Sequence, residues 1–143
     1  MMRTRVPSVR SMMNPRTLLL IAFLAAGCAE SSDRPARWSY IHAAIIQPAC
    51  TTSGCHSALT AIAGVNLSDR QGSYTILTGR ICGEPPGPLD PPRNYVTPFS
   101  AESSKLYHQL VGENTDQMPP DTALPATEVD LFARWIDDGA RCD

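Results

Sequence analysis

The stretch CTTSGCH, from Cys50 to His56, sets two thiols and an imidazole within seven residues. Whatever bond these side chains make decides what the rest of the chain must fold around. Three are open to them. The cysteines can pair as a disulfide, with His56 a bystander. They can join His56 and a fourth residue on a metal ion. Or each can form a thioether to a porphyrin, with the histidine after the second cysteine binding the iron. That adjacency has a reason: the second cysteine fixes the porphyrin edge, and the next side chain swings beneath the ring to its centre. The arm between such cysteines usually has about two residues. Here it has four, Thr51, Thr52, Ser53 and Gly54, all small or flexible.

The compartment bears on the choice. Residues 1–16 carry Arg3, Arg5, Arg10 and Arg16 and no acid, and the apolar run LLLIAFLAA follows at 18–26. A basic start, a short apolar run and small residues at its exit describe a secretory signal. The run is well short of the roughly 20 residues a spanning helix needs. Met12-Met13 offers a second start, since MNPRTLLLIAFLAAGC is already a complete short signal. At the exit, LAAGC (24–28) resembles a bacterial lipobox, whose cysteine is lipidated and becomes the mature N-terminus. Ala26 and Gly27 fit that pattern, and Ala25 stands where leucine is commoner. The expected organisation is a lipoprotein signal over 1–28 ending at Cys28, a polar tether over 29–37 and a folded domain over 38–143. Simple cleavage nearby, with Cys28 incidental, is the alternative. Export, to the periplasm or a membrane face, permits disulfides.

Removing the leader takes four of the twelve basic residues and leaves eight against fourteen acidic ones, a net charge of −6. An acidic domain lacks the basic patch that nucleic-acid binding needs, and it accommodates a basic protein partner. The domain buries only a modest core at this size, so a disulfide, a metal or a large apolar cofactor would add stability.

The pattern is helical, without a convincing alternating strand. WSYIHAAIIQ (38–47) puts Trp38, Ile41 and Ile45 on one face, and Pro48 is expected to end it. His42 falls on the polar side. In SDRQGSYTILTG, Ser68 is the expected cap, Tyr74 and Leu77 face inward and Gly79 ends the helix. Residues 80–98 are too rich in Pro and Gly for regular structure. SAESSKLYHQLVG predicts a third helix capped by Ser100 or Ser103, with Leu106 and Leu110 inward and Gly112 at its end. In the last, Thr127 and Asp130 suggest a capping box. Val129, Leu131, Phe132, Trp135 and Ile136 form its apolar face, and Gly139 suits the residue past its end.

Five cysteines are present. With Cys28 lipidated and Cys50 and Cys55 in the motif, Cys82 and Cys142 are left. A disulfide between them would tie the middle loop to the tail of the last helix; the four cysteines equally allow an all-disulfide arrangement with Cys50–Cys55. Met118 is the single methionine beyond the leader. It stands in QMPP, a polar stiff loop, where a core-filling methionine is not expected. That position suits a thioether held out as a ligand, and a His/Met pair raises the potential of haem iron and suits electron transfer.

Taken in order, a helix, C…CH, a variable middle, MPP and a final LFARWIDDGA helix resemble the small exported c-type cytochromes, of the planctomycete-like or myxobacterial-like kind, over 38–140. The C-x4-C-H spacing departs from that family's pattern. The resemblance implies an all-α fold of three or four helices around one covalent haem c, with Trp38, Ile41 and Ile45 packed on Phe132, Trp135 and Ile136. It implies Cys50 and Cys55 as thioether anchors, His56 and Met118 as axial ligands, and Leu106, Tyr107 and Leu110 against the haem. Trp135 could offer its indole N–H to a propionate. His108 is the alternative distal ligand. The implied function is electron transfer to and from redox proteins with a basic docking surface, at a membrane reached through the lipid on Cys28. No acid/base pair or nucleophile arrangement marks an enzyme, and peroxidase-like chemistry would require an open distal face. The readings kept beside it are a haem-free lipoprotein stapled by Cys50–Cys55 and Cys82–Cys142, acting as a binding or scaffold module, and a zinc site of Cys50, Cys55, His56 and His108.

Overall fold

Four helices and a short 3-10 turn carry the fold, with no strand, among residues 34–85 and 95–143, the part of the chain that the computed structural model describes. The leader, Cys28, most of the tether and part of the long middle loop lie outside the described residues. No helix among the described residues is long and apolar enough to cross a membrane.

Helix α1 runs over 38–50, three residues further than Pro48 would suggest. It starts as α-helix at Trp38–Ile41, widens to a π-helical turn at His42–Ile46 and closes as α-helix at Gln47–Cys50. Proline lacks the N–H for an i→i−4 bond, and its ring clashes with the carbonyl four residues back. The wider turn, in which the Gln47 N–H reaches the His42 carbonyl, relaxes the α-helical register just before that proline. No side chain of Arg37 caps the start. The cap comes from the tail: Asp143 Oδ1 accepts from the Ser39 N–H at 2.8 Å, and Oδ2 accepts from the Ser39 hydroxyl at 2.7 Å.

Helix α2 is Arg70–Thr78, capped by Asp69 instead of Ser68: the Asp69 carboxylate accepts from the Gly72 N–H at 2.6 Å. Helix α3 is Lys105–Val111, shorter than predicted, with Ser104 at its N-cap. Ser104 Oγ is turned back into the preceding turn, accepting from the Thr97 N–H and donating to the Ser100 carbonyl. Helix α4 is Ala126–Asp137. Thr127 lies inside it, so the capping box does not form; its hydroxyl accepts from Arg34 at 3.3 Å. Past its end, the Gly139 N–H reaches the Ile136 carbonyl and the Ala140 N–H reaches that of Trp135, the paired bonds of a Schellman close. Gly139 sits at φ +96, and a Cβ there would meet the Phe99 ring at 2.7 Å.

The apolar faces that the spacing predicts meet in one core. Trp38, Ile41 and Ile45 of α1 and Leu131, Phe132, Trp135 and Ile136 of α4 are buried in one core with Tyr74 and Leu77 of α2. Trp38 stacks on Trp135 with ring centroids 5.1 Å apart. Both indoles are satisfied within the chain, Trp38 donating to the Arg70 carbonyl and Trp135 to that of Arg141. The Trp135 N–H is therefore committed at 2.8 Å to the backbone, not presented to a propionate. Cys82 and Cys142 form a disulfide.

Candidate functional site

The motif begins where α1 ends. The His56 N–H donates to the Cys50 carbonyl at 3.0 Å and the Cys55 N–H to the Thr52 carbonyl at 2.9 Å, so the four-residue arm folds back on the helix terminus. Gly54 has nothing within 4 Å of where its Cβ would be, so the bulge points into open space. The arm's extra length is spent outward, and Cys50 and Cys55 line the same cavity.

His56 is oriented by three linked hydrogen bonds. Its Nδ1–H donates to the Val65 carbonyl at 3.0 Å, which leaves Nε2 as the free nitrogen of the ring. The segment that supplies this acceptor is tied at both sides. The Leu67 N–H donates to the His56 carbonyl at 2.8 Å, and the Leu67 carbonyl accepts from His42 Nε2 at 3.1 Å. His42 is thus buried in the core instead of facing solvent, at 3 % exposure. Ser73 Oγ lies 3.3 Å from the same Nε2. Burial lowers the His42 pKa, outweighing the Leu67 carbonyl and nearby Asp69, while Arg70 adds to the lowering. His42 stands four residues after Trp38, so the spacing that buries Trp38, Ile41 and Ile45 carries its imidazole to the core side as well, and not to the polar side expected of it.

Met118 arrives from the opposite half of the chain. Its N–H donates to the Gln109 carbonyl at 2.8 Å, which fastens the QMPP loop to α3. A cavity of about 110 Å³ is lined by Ala49, Cys50, Cys55, His56, Ile62, Met118, Pro119 and Pro120. A second, of about 120 Å³, shares Cys50, His56, Ile62 and Met118 with it and continues toward Leu67, Leu106, Leu110 and Phe132. Either alone is smaller than a porphyrin. Ile62, in the wall of both, belongs to a loop whose side chains are largely exposed.

The thiols of Cys50 and Cys55 are unbonded. Burial, and then the neighbouring Cys55, push Cys50 up to about 11. A thiol so placed stays protonated at neutral pH and is not the low-pKa nucleophile of a redox or protease site. The Cys50–Cys55 disulfide of the stapled reading is not formed in this structure.

Leu106 and Leu110 line the second cavity, whereas Tyr107 lines neither. Tyr107 instead borders an open apolar groove between α3 and α4, with Val111, Leu124 and Val129. His108 also lines neither cavity. Its Nε2 lies 2.8 Å from the Glu102 carbonyl and its Nδ1 is 3.9 Å from the Glu113 carboxylate. It therefore does not share a cavity with Cys50, Cys55 and His56, and among the described residues no three His, Cys, Asp or Glu side chains converge as a metal site. The lining residues Val65, Leu67, Tyr95 and Gln109 were not singled out by sequence; the loop positions follow no period, and Gln109, a polar side chain, shares the cavity-facing side of α3 with Leu106 and Leu110.

No family model matches the chain, and neither a characterised protein nor a solved structure matches it.

Proposed function

We propose that this protein is a one-electron carrier that folds, in the manner of a small c-type cytochrome, around one covalently bound haem c. The observation that carries the reading is convergence: Cys50, Cys55, His56 and Met118 line one apolar cavity although 68 positions separate the first from the last. The donor set fits the group. His56 has Nδ1 engaged and Nε2 free, Met118 supplies an uncharged thioether, and the free cysteines Cys50 and Cys55 would be the two thioether anchors. Leu106, Leu110 and Phe132 supply an apolar wall that excludes water. When bound, the haem supplies iron that cycles between Fe(III) and Fe(II), and His/Met ligation favours the reduced state. The chain keeps His56 oriented through Val65 and Met118 placed through Gln109, so little moves during transfer. Export and a lipid on Cys28 would hold the carrier at a membrane.

The test is a pyridine haemochrome spectrum of the protein made in a host with c-type maturation. Two thioethers are expected. A one-thioether spectrum would show that Cys50 is not joined. A protein that carries no haem would sink the reading and leave the haem-free lipoprotein, for which the Cys82–Cys142 bond is already formed.

A further inference from the structure

The surface beside the candidate site differs from the rest of the domain in charge. No Asp, Glu, Lys or Arg occurs from residue 38 to residue 68, a span that includes all of α1, the motif and the loop after it. In that loop Leu59 is 96 % exposed and Ile62 48 % exposed. Both are held out by a tightly bonded turn: the Ala61 N–H donates to the Ser57 carbonyl, that of Ile62 to the Cys55 carbonyl and that of Gly64 to the Ala61 carbonyl. Ala61 and Ala63 lie at φ +41 and +56, a left-handed backbone that costs a non-glycine residue. The turn held in that form keeps the apolar side chains of Leu59 and Ile62 exposed.

Across the cavity, the loop bearing Met118 has the opposite character. Glu113, Asp116 and Asp121 are exposed, and no Lys or Arg occurs between Lys105 and Arg134. Ile62, Pro119 and Pro120 line the same cavity, so the apolar loop and the acidic loop meet at its rim. Lys105, the basic residue nearest in sequence, is turned over the ring of Tyr95 with Nζ 5.0 Å from the centroid. Among the described arginines, Arg34 reaches Thr127 and Arg134 reaches Asp130 on α4, and Arg80 donates to the Gly139 carbonyl. Arg37, Arg141 and the Asp143 cap lie at the start of α1, about 18 Å from its motif end at 1.5 Å per residue.

We propose that this rim is the docking surface for a partner protein that presents an apolar centre flanked on one side by Lys or Arg. The proposal rests on the electron-transfer reading for the nature of the partner, and on charge complementarity and exposed apolar area for its chemistry. Leu59 and Ile62 would meet the apolar centre, and Asp116 and Asp121 the basic flank. Anionic lipid headgroups would be repelled by the same acids, and a second copy of this chain would bring acid against acid. Such steering falls off with salt within a Debye length.

The surface is mapped first without reference to haem. Tris(phenanthroline)chromium(III), a redox-inert paramagnetic cation with an apolar shell, is titrated into the processed full chain in non-ionic detergent while backbone amide signals are followed. Broadening centred on 59–62 and 116–121 is expected. Broadening centred on Glu84 and Asp138, or spread evenly over the acidic surface, overturns the proposal. The second arm follows oxidation of the reduced haem protein by tris(phenanthroline)cobalt(III). One electron passes from iron to cobalt, giving Fe(III) and Co(II), and no proton moves. Asp116→Asn with Asp121→Asn should slow this reaction several-fold at low salt and flatten its salt dependence. Glu84→Gln with Asp138→Asn, which removes the same charge, should leave it nearly unchanged. Equal effects of the two pairs would show net charge alone at work and overturn the proposal. Because the broadening map does not need haem, a chain that binds the cation at the rim but carries no haem would count against the electron-transfer reading and not against the surface.

Discussion

At the scale of single residues, His56 and Met118 have different kinds of support, and their variants should fail differently. Met118 is fixed through its own backbone N–H to Gln109, so truncating its side chain leaves the loop tied. Met118→Ala is expected to retain covalent haem and lose the weak sulfur-to-iron band at the red end of the visible spectrum; a retained band would remove Met118 from the iron. His42 acts at one remove. It holds Leu67, which holds the backbone that orients His56. Because burial lowers its pKa below the ordinary value of 6.5, the unfolded chain binds the proton more tightly than the folded one does. Stability from the neutral imidazole is therefore complete above about pH 6.5 and falls as pH drops from there toward the folded pKa. His42→Gln, which keeps a donor and loses the titration, should flatten the fall in urea midpoint between pH 7 and 5; an unchanged slope would place the acid sensitivity elsewhere. Asp143 belongs to a lower window. Burial pushes its carboxyl up, but the two Ser39 hydrogen bonds with Arg37 and Arg70 outweigh this and leave it lowered. Its contribution is present above the ordinary value of 3.8 and is lost below it as pH falls through the folded pKa. His56 and Met118 could be singled out in the sequence by residue type and neighbours, and both line one cavity. The role of His42 was not legible there, since it depends on a carbonyl 25 positions away.

At the scale of elements, the boundaries are decided by local bonds that compete with the expected ones. The apolar stripes of α1 and α4 were readable from spacing because burial of Trp38, Ile41, Phe132 and Ile136 is what makes those segments helical. The caps were not, because several acceptors stand within reach of each helix start. Asp69 wins over Ser68 with a carboxylate three residues from the Gly72 N–H, and Asp143 serves α1 from the other end of the chain. The C-terminal ends are the exception: Gly79, Gly112 and Gly139 close α2, α3 and α4 as read from the sequence, and Gly139 takes φ +96 beside the Phe99 ring, which only glycine does without strain. Gly139→Ala should therefore be costly. It adds a Cβ against Phe99 and enforces an unfavourable backbone, and a loss of about 1–3 kcal/mol is expected. In a thermal melt that is a fall of several degrees. Gly54→Ala, in the motif arm with open space around it, should lower the melting temperature far less. If the two cost the same, the close at Gly139 is not what holds the end of α4.

At the scale of the whole molecule, the site is assembled from two halves, and the covalent link runs through only one of them. Cys82 and Cys142, 60 positions apart, close a ring that contains α3, the Met118 loop and α4. Cys50, Cys55 and His56 lie outside it. The halves are joined by the shared core, with Trp38 stacked on Trp135, by the Tyr95 and Val96 N–H groups on the Leu77 carbonyl and the Tyr74 hydroxyl on that of Ala140, and by the tail just beyond the disulfide, where Asp143 caps α1. Opening the ring frees that tail as well as the middle loop. Cys82→Ala with Cys142→Ala should cost about 2–4 kcal/mol, mostly through the freedom regained by the unfolded chain. Its second effect should be uneven. His56 is bonded entirely within 42–67 and keeps its orientation, while Met118 is held to that half across the interface. In the haem-loaded protein, the sulfur-to-iron band of the double variant should therefore disappear at a lower urea concentration than the helical signal, with a wider gap between the two midpoints than in the parent. Loss of both signals together, at one midpoint shifted equally, would mean that the disulfide stabilises the domain as a single unit and does not favour Met118 over His56.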